Sequence, residues 1–512
     1  MENQNKTSQK NILMAIIALI IVYLISYLML KGAGAPRSFF HTIMMVFLIT
    51  LGGSSKRVFW FIVFPLVSIY SIYAPIGFTY GSLTYDFLVA GIATDTLEIS
   101  EFIHQIPYTN YLIPLVIIGG LLLYRKVTTY YKIQYYKNRT FITIAVVTLA
   151  ALQAPTHLIR QIKTHSEDLY QEQQLLQELT KKNNWGNTLS TPSFENYILV
   201  IGESARRDYH HAYGYAINNT PFMSTANGIL VDGLTSGGSS TVPSLKAMLT
   251  LSDKQSWEAD YGKTIIGLAK AAGIKTYWLS NQGYLGTHDT PISAIASTSD
   301  SSYFTKYGGY DSVNKSDFEL LPQFESIILK NPYEKKLIII HLYGSHPNAC
   351  DRIADYHLIT DVKNQYYSYL NCYISSIHKT DTLLKKIVSF MDKEVATTKT
   401  NYSLIYFADH GLAHKEINGQ LYFNNSSLSK YHYDIPLFMT SSKSNNRQTC
   451  KSFKSGLNFT AGLASWMEIQ NNLLDPNYSL FDCKDDPDDF GLAKKLEGAN
   501  SDPAINIKVK ED

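Results

Sequence analysis

Four apolar stretches of this sequence run directly into residues capable of acid–base or metal chemistry. YILVIG leads into Glu203-Ser204, TYWLS into Asn281-Gln282, LIIIHL into Ser345-His346, and SLIYFA into Asp409-His410-Gly411. Ligands of open α/β sheets bind beyond the carboxyl ends of the strands, so converging ends would gather two carboxylates and two imidazoles around one pocket. Carboxylate oxygen and imidazole nitrogen are zinc donors, and a catalytic zinc keeps one position for the reacting group. Glu203, Asp409 and His410 offer three such donors. Singly, Glu203 and Asp409 read as N-cap or turn residues and His410 as a hydrogen-bonded core histidine. As a set they point to metal.

A second feature supplies a nucleophile. Thr235-Ser236-Gly237-Gly238-Ser239-Ser240-Thr241-Val242-Pro243 leads into SLKAMLTL, a predicted helix. A small-residue loop at a helix start presents free backbone N–H groups and the positive dipole end, which suits a phosphoryl group. A hydroxyl there can lose its proton to a metal site, attack phosphorus and form a covalent intermediate. The spacing leaves Ser239, Ser240 and Thr241 equally eligible.

These residues need a frame. From Tyr197 onward short apolar runs (YILVIG, TYWLS, LIIIHL, SLIYFA, IPLFM) alternate with helical stretches, predicting an α/β domain with a mainly parallel sheet. We place this domain at 191–483. Residues 155–190 form a linker in which Ile162, Leu169, Leu175, Leu176 and Leu179 have helical spacing, an amphipathic connector lying on a membrane surface or a solvated helix. Residues 484–512 are charged and poor in apolar residues, and read as a loose tail.

Residues 1–154 differ from the rest. Up to Pro155 there are 11 Lys+Arg against 5 Asp+Glu, a balance of +6 that leaves −4 for the remainder. An acidic soluble part argues against nucleic acid as a partner. Ile12 to Leu30 is 19 uncharged residues, long enough to span a bilayer, and too long for a cleaved signal. Further apolar segments near 39–53, 58–78, 111–124 and 140–154 bring the expected spans to five. Lys6, Lys10, Lys56, Arg57, Arg125, Lys126, Lys132, Lys137 and Arg139 fall on one side, and residues 81–110 hold no Lys or Arg. This places the N-terminus in the cytoplasm and everything after Pro155 outside. The four cysteines, Cys350, Cys372, Cys450 and Cys483, all lie in the external part, consistent with disulfides. Proximity favours Cys350–Cys372 and Cys450–Cys483 among three pairings.

The motifs together resemble the phosphoethanolamine transferases of the Gram-negative inner membrane, a family that includes the lipid A-modifying colistin-resistance enzymes. VIGESARRDYHHAYGY with Asn219-Thr220-Pro221 is similar to the family's GE(S/T)xR…GY…TP segment, TSGGSSTVPS to its TSCGTSTxxS nucleophile loop, and WLSNQ, GSHP and ADHG to further motifs in order. The resemblance implies an alkaline-phosphatase/sulfatase-like sandwich behind five transmembrane helices, bound zinc, a periplasmic catalytic domain and a multi-pass inner-membrane location. By position it implies Glu203, Thr241, Asp409 and His410 as metal ligands, Thr241 also as the phosphorylated nucleophile, and His346 beside the substrate phosphate. A further family histidine falls at His432, or second at His414. IATDTLE is similar to the family's TxxxE segment, implicating Thr94 and Glu98 in donor binding, although Ala90 stands where the family often has asparagine. Gly237 replaces a family cysteine, so one family disulfide is absent. Thr241-Val242-Pro243-Ser244 also resembles the sulfatase C/S-x-P-S-R motif, but without its first residue and with Leu245 for the arginine, which disfavours formylglycine chemistry.

The implied reaction is transfer of phosphoethanolamine from phosphatidylethanolamine to an envelope acceptor, lipopolysaccharide lipid A or core foremost, through a zinc-activated phospho-threonine. A glycerol phosphate-type transferase of the same superfamily and a catalytically silent membrane-anchored binding protein are the alternatives.

Overall fold

The structure, a computed structural model, describes residues 2–35, 39–84, 88, 100, 102–151, 157–179, 182–284, 290–307, 314–425 and 427–507. The chain forms two compact units. One comprises residues up to Leu88 and from Phe102 to Leu169, and the other contains everything from Tyr170 onward. The division falls inside the expected linker, within one helix.

The first unit is helical, because its runs of Leu, Ile, Val and Phe carry few groups that compete for backbone hydrogen bonds. Its helices are α1 (Glu2–Gly32), α2 (Phe39–Gly52), α3 (Phe64–Tyr80), α4 (Ile113–Tyr130) and α5 (Arg139–Ala151). Three helical stretches, Gln9–Gly32, Lys56–Tyr80 and Tyr108–Tyr130, are long and apolar enough to cross a membrane. At 14 and 13 residues, α2 and α5 are shorter than a full span. The expected first, third and fourth spans thus have full-length counterparts. The linker is the helix α6 (His157–Leu179).

The second unit is built on an eight-stranded sheet. In chain order its strands are β1 (Asn196–Gly202), β2 (Gly228–Thr235), β3 (Lys275–Tyr284), β4 (Ser301–Tyr307), β5 (Lys336–His341), β6 (Tyr402–Ala408), β7 (Leu437–Ser441) and β8 (Arg447–Ser455). Their order across the sheet is β8-β2-β7-β6-β1-β5-β3-β4. Strands β6, β1, β5, β3 and β4 are parallel, and every residue of β1, β5 and β6 is buried, as a sheet covered on both faces requires.

Two expectations need correcting. IPLFM, read with the parallel strands, is β7 and runs antiparallel to both β2 and β6, so the sheet is mixed. The segment from β6 to β7 contains a two-stranded ribbon (Ala413–Ile417 with Gln420–Asn424) instead of the crossover helix that a parallel return needs. The charged tail is not loose over its described part. Asp486 is buried and accepts hydrogen bonds from Ser455 N–H and the Asn458 amide, Asn500 bridges Ser429, and Ile507 joins the core. Its acidic side chains are spent on buried cations and backbone donors, which a reading by composition cannot register. The favoured cysteine pairs, Cys350–Cys372 and Cys450–Cys483, are both bonded.

Candidate active site

Register places the two carboxylates. Gly202 of β1 lies opposite Ala408 of β6, so Glu203 and Asp409 leave the sheet side by side, and Asp409 N–H donates to Gly202 C=O at 3.0 Å. Ser204 follows in the left-handed region (φ +56°), which turns the chain so that its N–H meets Asp409 Oδ1 at 2.9 Å. His410 N–H donates to the same oxygen at 2.7 Å. Asp409 Oδ2 is buried and has no hydrogen-bond partner among the described residues.

His410 is held by its other nitrogen. Nδ1 lies 2.6 Å from Gly411 C=O and donates to it, which turns Nε2 toward Glu203 Oε1 (3.4 Å) and Asp409 Oδ2 (3.5 Å). One donor atom from each of Glu203, Asp409 and His410 lies within 4.8 Å of the others. Glycine is required at 411, where a Cβ would stand 2.0 Å from Tyr431 C=O.

The hydroxyl that completes the group is Thr241, first residue of α7 (Thr241–Met248). Its Oγ1 is 3.2 and 3.1 Å from the two Glu203 oxygens and 3.3 Å from His410 Nε2. Ser244, one turn on, donates to Asp409 C=O at 2.6 Å and pins α7 to the end of β6. Of the three hydroxyls the loop offers, Thr241 is the one in contact with these ligands.

The electrostatics fit a cation. Two fully buried carboxylates this close do not both ionise without a neutralising charge. Burial drives Asp409 well above its ordinary value, and the Glu203 charge adds to that. Burial also acts to raise Glu203, but the hydrogen bond and charge of His410 outweigh it and hold Glu203 well below the carboxylate range. His410, opposed by burial, is lifted to about 9 by Asp409 and Glu203. Protein alone thus needs an imidazolium between the carboxylates. A divalent cation would take that place, return His410 to a neutral ligand and use the idle Asp409 oxygen.

Around this group stand the other sequence candidates. His346 is half-buried and stacks on Tyr343 (centroids 4.8 Å), whose ring also lies under Lys306 (3.3 Å) and Arg352 (4.0 Å). Burial lowers His346 to about 4 despite the Glu203 charge, so it is neutral. His432 Nδ1 lies 3.1 Å from Ser429 N–H and 3.0 Å from Ser429 C=O, and Nε2 is buried without a hydrogen-bond partner among the described residues. His414 is used elsewhere: Nε2 meets Tyr209 OH at 2.8 Å, in a network with Arg206 and Asp502. Thr94 and Glu98 lie outside the described residues.

Several supporting residues had no assigned role. Gln282 donates to Glu203 Oε2 (3.1 Å) and Leu342 C=O (2.7 Å), and Ser204 Oγ donates to Glu203 Oε1 (2.7 Å). Tyr373 OH donates to Ser204 C=O (2.8 Å) and accepts Arg206 N–H (2.9 Å), fixing the strained turn. Gln282 and Ser204 lie inside the motifs WLSNQ and VIGESARR. Tyr373 sits inside the long helix α8 (Ser368–Thr398), where no pattern marks it.

Residues 195–469 match the Sulfatase family model. Over 427 residues, 82% of its own length and 88% of the relative's, the chain is 43% identical to the "Putative phosphoethanolamine transferase" of Haemophilus influenzae. The chain belongs to the phosphoethanolamine transferase family. "Phosphoethanolamine transferase OpgE" of Escherichia coli strain K12 is 28% identical over 480 residues, 89% of each chain. In architecture this family member is similar to the integral membrane lipooligosaccharide phosphoethanolamine transferase A of Neisseria meningitidis, with TM-score 0.61 at 15% identity, covering 90% of this chain and 97% of that one. The fold of the second unit is alkaline-phosphatase-like with a mixed sheet.

Proposed function

We propose that this phosphoethanolamine transferase carries phosphoethanolamine from phosphatidylethanolamine to a lipopolysaccharide acceptor, lipid A or core, through a covalent phospho-threonine at Thr241. The carrying observation is the Thr241 hydroxyl, which starts a helix and lies 3.1–3.3 Å from both Glu203 and His410. Glu203, Asp409 and His410, together with Thr241, would hold a zinc ion, which would supply a Lewis acid that lowers a hydroxyl pKa and polarises a phosphoryl oxygen.

Thr241 already directs its proton toward Glu203, leaving an oxygen lone pair for phosphorus. Thr241 Oγ1 bonds to phosphorus as the bond to the diacylglycerol oxygen breaks, and the proton that Thr241 releases is taken up by that oxygen, which leaves as diacylglycerol. An acceptor hydroxyl or phosphate then displaces the threonine oxygen, restoring the enzyme. His346 and His432, both neutral, steady the phosphoryl oxygens by hydrogen bonding. Thr94 and Glu98 contact the donor. The lysine and arginine distribution supports five spans in the inner membrane, with the catalytic unit in the periplasm beside a donor that stays in the bilayer.

Glu203→Ala and Asp409→Ala in the purified full chain should lose zinc together with diacylglycerol release from phosphatidylethanolamine vesicles. The expected drop is roughly a hundred-fold or more, the scale of losing one electrostatic stabiliser. Unchanged zinc content in both variants would remove the metal assignment.

A further inference from the structure

The turn that carries His432 joins the two halves of the site. His432 C=O accepts Gly411 N–H (2.8 Å), directly after the candidate ligand His410, and also Ser236 Oγ (3.3 Å) from the nucleophile loop. Tyr433 C=O accepts Ser236 N–H at 2.8 Å. A shift of this turn would therefore move His432 relative to both Thr241 and the metal group.

The conformation of this turn is set by Ser429, and that of Ser429 by the C-terminal segment. Ser429 Oγ accepts Tyr431 N–H (3.1 Å) and donates to Asp502 Oδ1. A hydroxyl has one proton, so giving it to Asp502 turns an oxygen lone pair toward Tyr431 and closes the turn over Lys430–His432. His432 Nδ1 then lies against the Ser429 backbone, 3.1 Å from its N–H and 3.0 Å from its C=O, and the ring's Nε2 is left to face the buried interior. Asp502 is itself clamped: Oδ2 accepts His414 N–H (2.5 Å) and the Arg206 guanidinium (3.3 Å), and Asp502 C=O accepts Arg206 at 2.6 Å. The Arg206 guanidinium also stacks on Tyr431 at 4.2 Å. A carboxylate from the chain's last described stretch thus ends in one hydrogen-bond relay: Asp502, Ser429, His432.

We propose that Asp502 is a positioning residue for the transfer reaction, acting through Ser429 to hold His432 in its working orientation. This rests on the reading of His432 as a substrate-side residue. The relay makes the C-terminal segment a functional part of the catalytic unit.

A double-mutant cycle in the full-length chain tests it, with the rate of diacylglycerol release from phosphatidylethanolamine vesicles as the readout and zinc content measured alongside. Asp502→Asn, Ser429→Ala and His432→Gln should each slow release by about ten-fold or more, the usual scale for an orienting partner, with zinc retained. Adding Asp502→Asn or Ser429→Ala to His432→Gln should cost no more than about two-fold, because the group being positioned is gone. Losses that multiply in the double variants would overturn the proposal, as would a wild-type rate for Ser429→Ala. If Asp502→Asn does not fold, the Ser429→Ala cycle decides alone, since it leaves the Asp502–Arg206 pair intact. A wild-type rate for His432→Gln would dismiss the relay together with the role of His432, while leaving zinc and Thr241 chemistry standing.

Discussion

Three histidines near the site differ in role because of one hydrogen bond each. His410 donates Nδ1–H to Gly411 C=O and turns Nε2 toward the carboxylates, His432 Nδ1 lies against the Ser429 backbone, and the His414 ring is taken up by Tyr209. Sequence motifs identified His410 and preferred His432 over His414; the partners of His410 and His432 are local, whereas Tyr209, which holds His414, and Asp502, which holds Ser429, lie 205 and 73 residues away. Thr241, Ser240 and Ser239 were likewise equivalent as residue types; the family resemblance pointed to Thr241, and contact with Glu203 distinguishes it physically. The Asn219-Thr220-Pro221 motif acquires a physical role in the fold. Its helix start offers the N–H groups of Phe222 and Met223 to buried Asp381, at 2.8 and 2.9 Å. Burial raises Asp381 to about 6 despite those bonds. The folded chain thus keeps a proton that the unfolded chain releases from about pH 4, so stability is drawn down between about pH 4 and 6 and is level above. The loss totals about 3 kcal/mol for two units at 1.36 each. The stability of Asp381→Asn relative to wild type should rise by this amount between pH 4 and 7, read by denaturation of both, and parallel curves would refute it.

Whole elements were legible where a single strong pattern defined them. The parallel strands β1, β3, β5 and β6 lie where short apolar runs ended in polar residues, and their in-register ends bring Glu203 and Asp409 together. The direction of β7 was not legible, because IPLFM has the same composition whichever way it runs. Nor was the packed tail, whose acidic residues look solvated until their buried partners Lys454 and Arg206 are known. In the membrane unit, α1 and α3 approach through glycines: a Cβ on Gly77 would lie 1.4 Å from Gly32 C=O, whereas Gly119 has open space. Such close backbone packing tolerates only small residues. Gly77→Ala should lower the thermal midpoint of the detergent-solubilised chain, at a cost of about 1–3 kcal/mol or more. Gly119→Ala should leave the midpoint in place. Equal midpoints for Gly77→Ala and wild type would contradict the helix contact.

At the scale of the molecule, a helical membrane unit and an α/β unit with a metal-type donor group suit a donor lipid that cannot leave the bilayer cheaply. The uneven charge and the confinement of all four cysteines to the second unit made this division visible in composition alone. Everything in this account depends on covalent transfer through one side chain, and tandem mass spectrometry can look for it directly. Purified full-length chain, loaded with zinc and incubated with phosphatidylethanolamine in the absence of acceptor, should carry phosphoethanolamine on Thr241, and Thr241→Ala should carry none. An adduct on Ser240 would preserve the chemistry and refute the residue. No adduct on any residue, with zinc and donor both shown to be bound, would contradict the account.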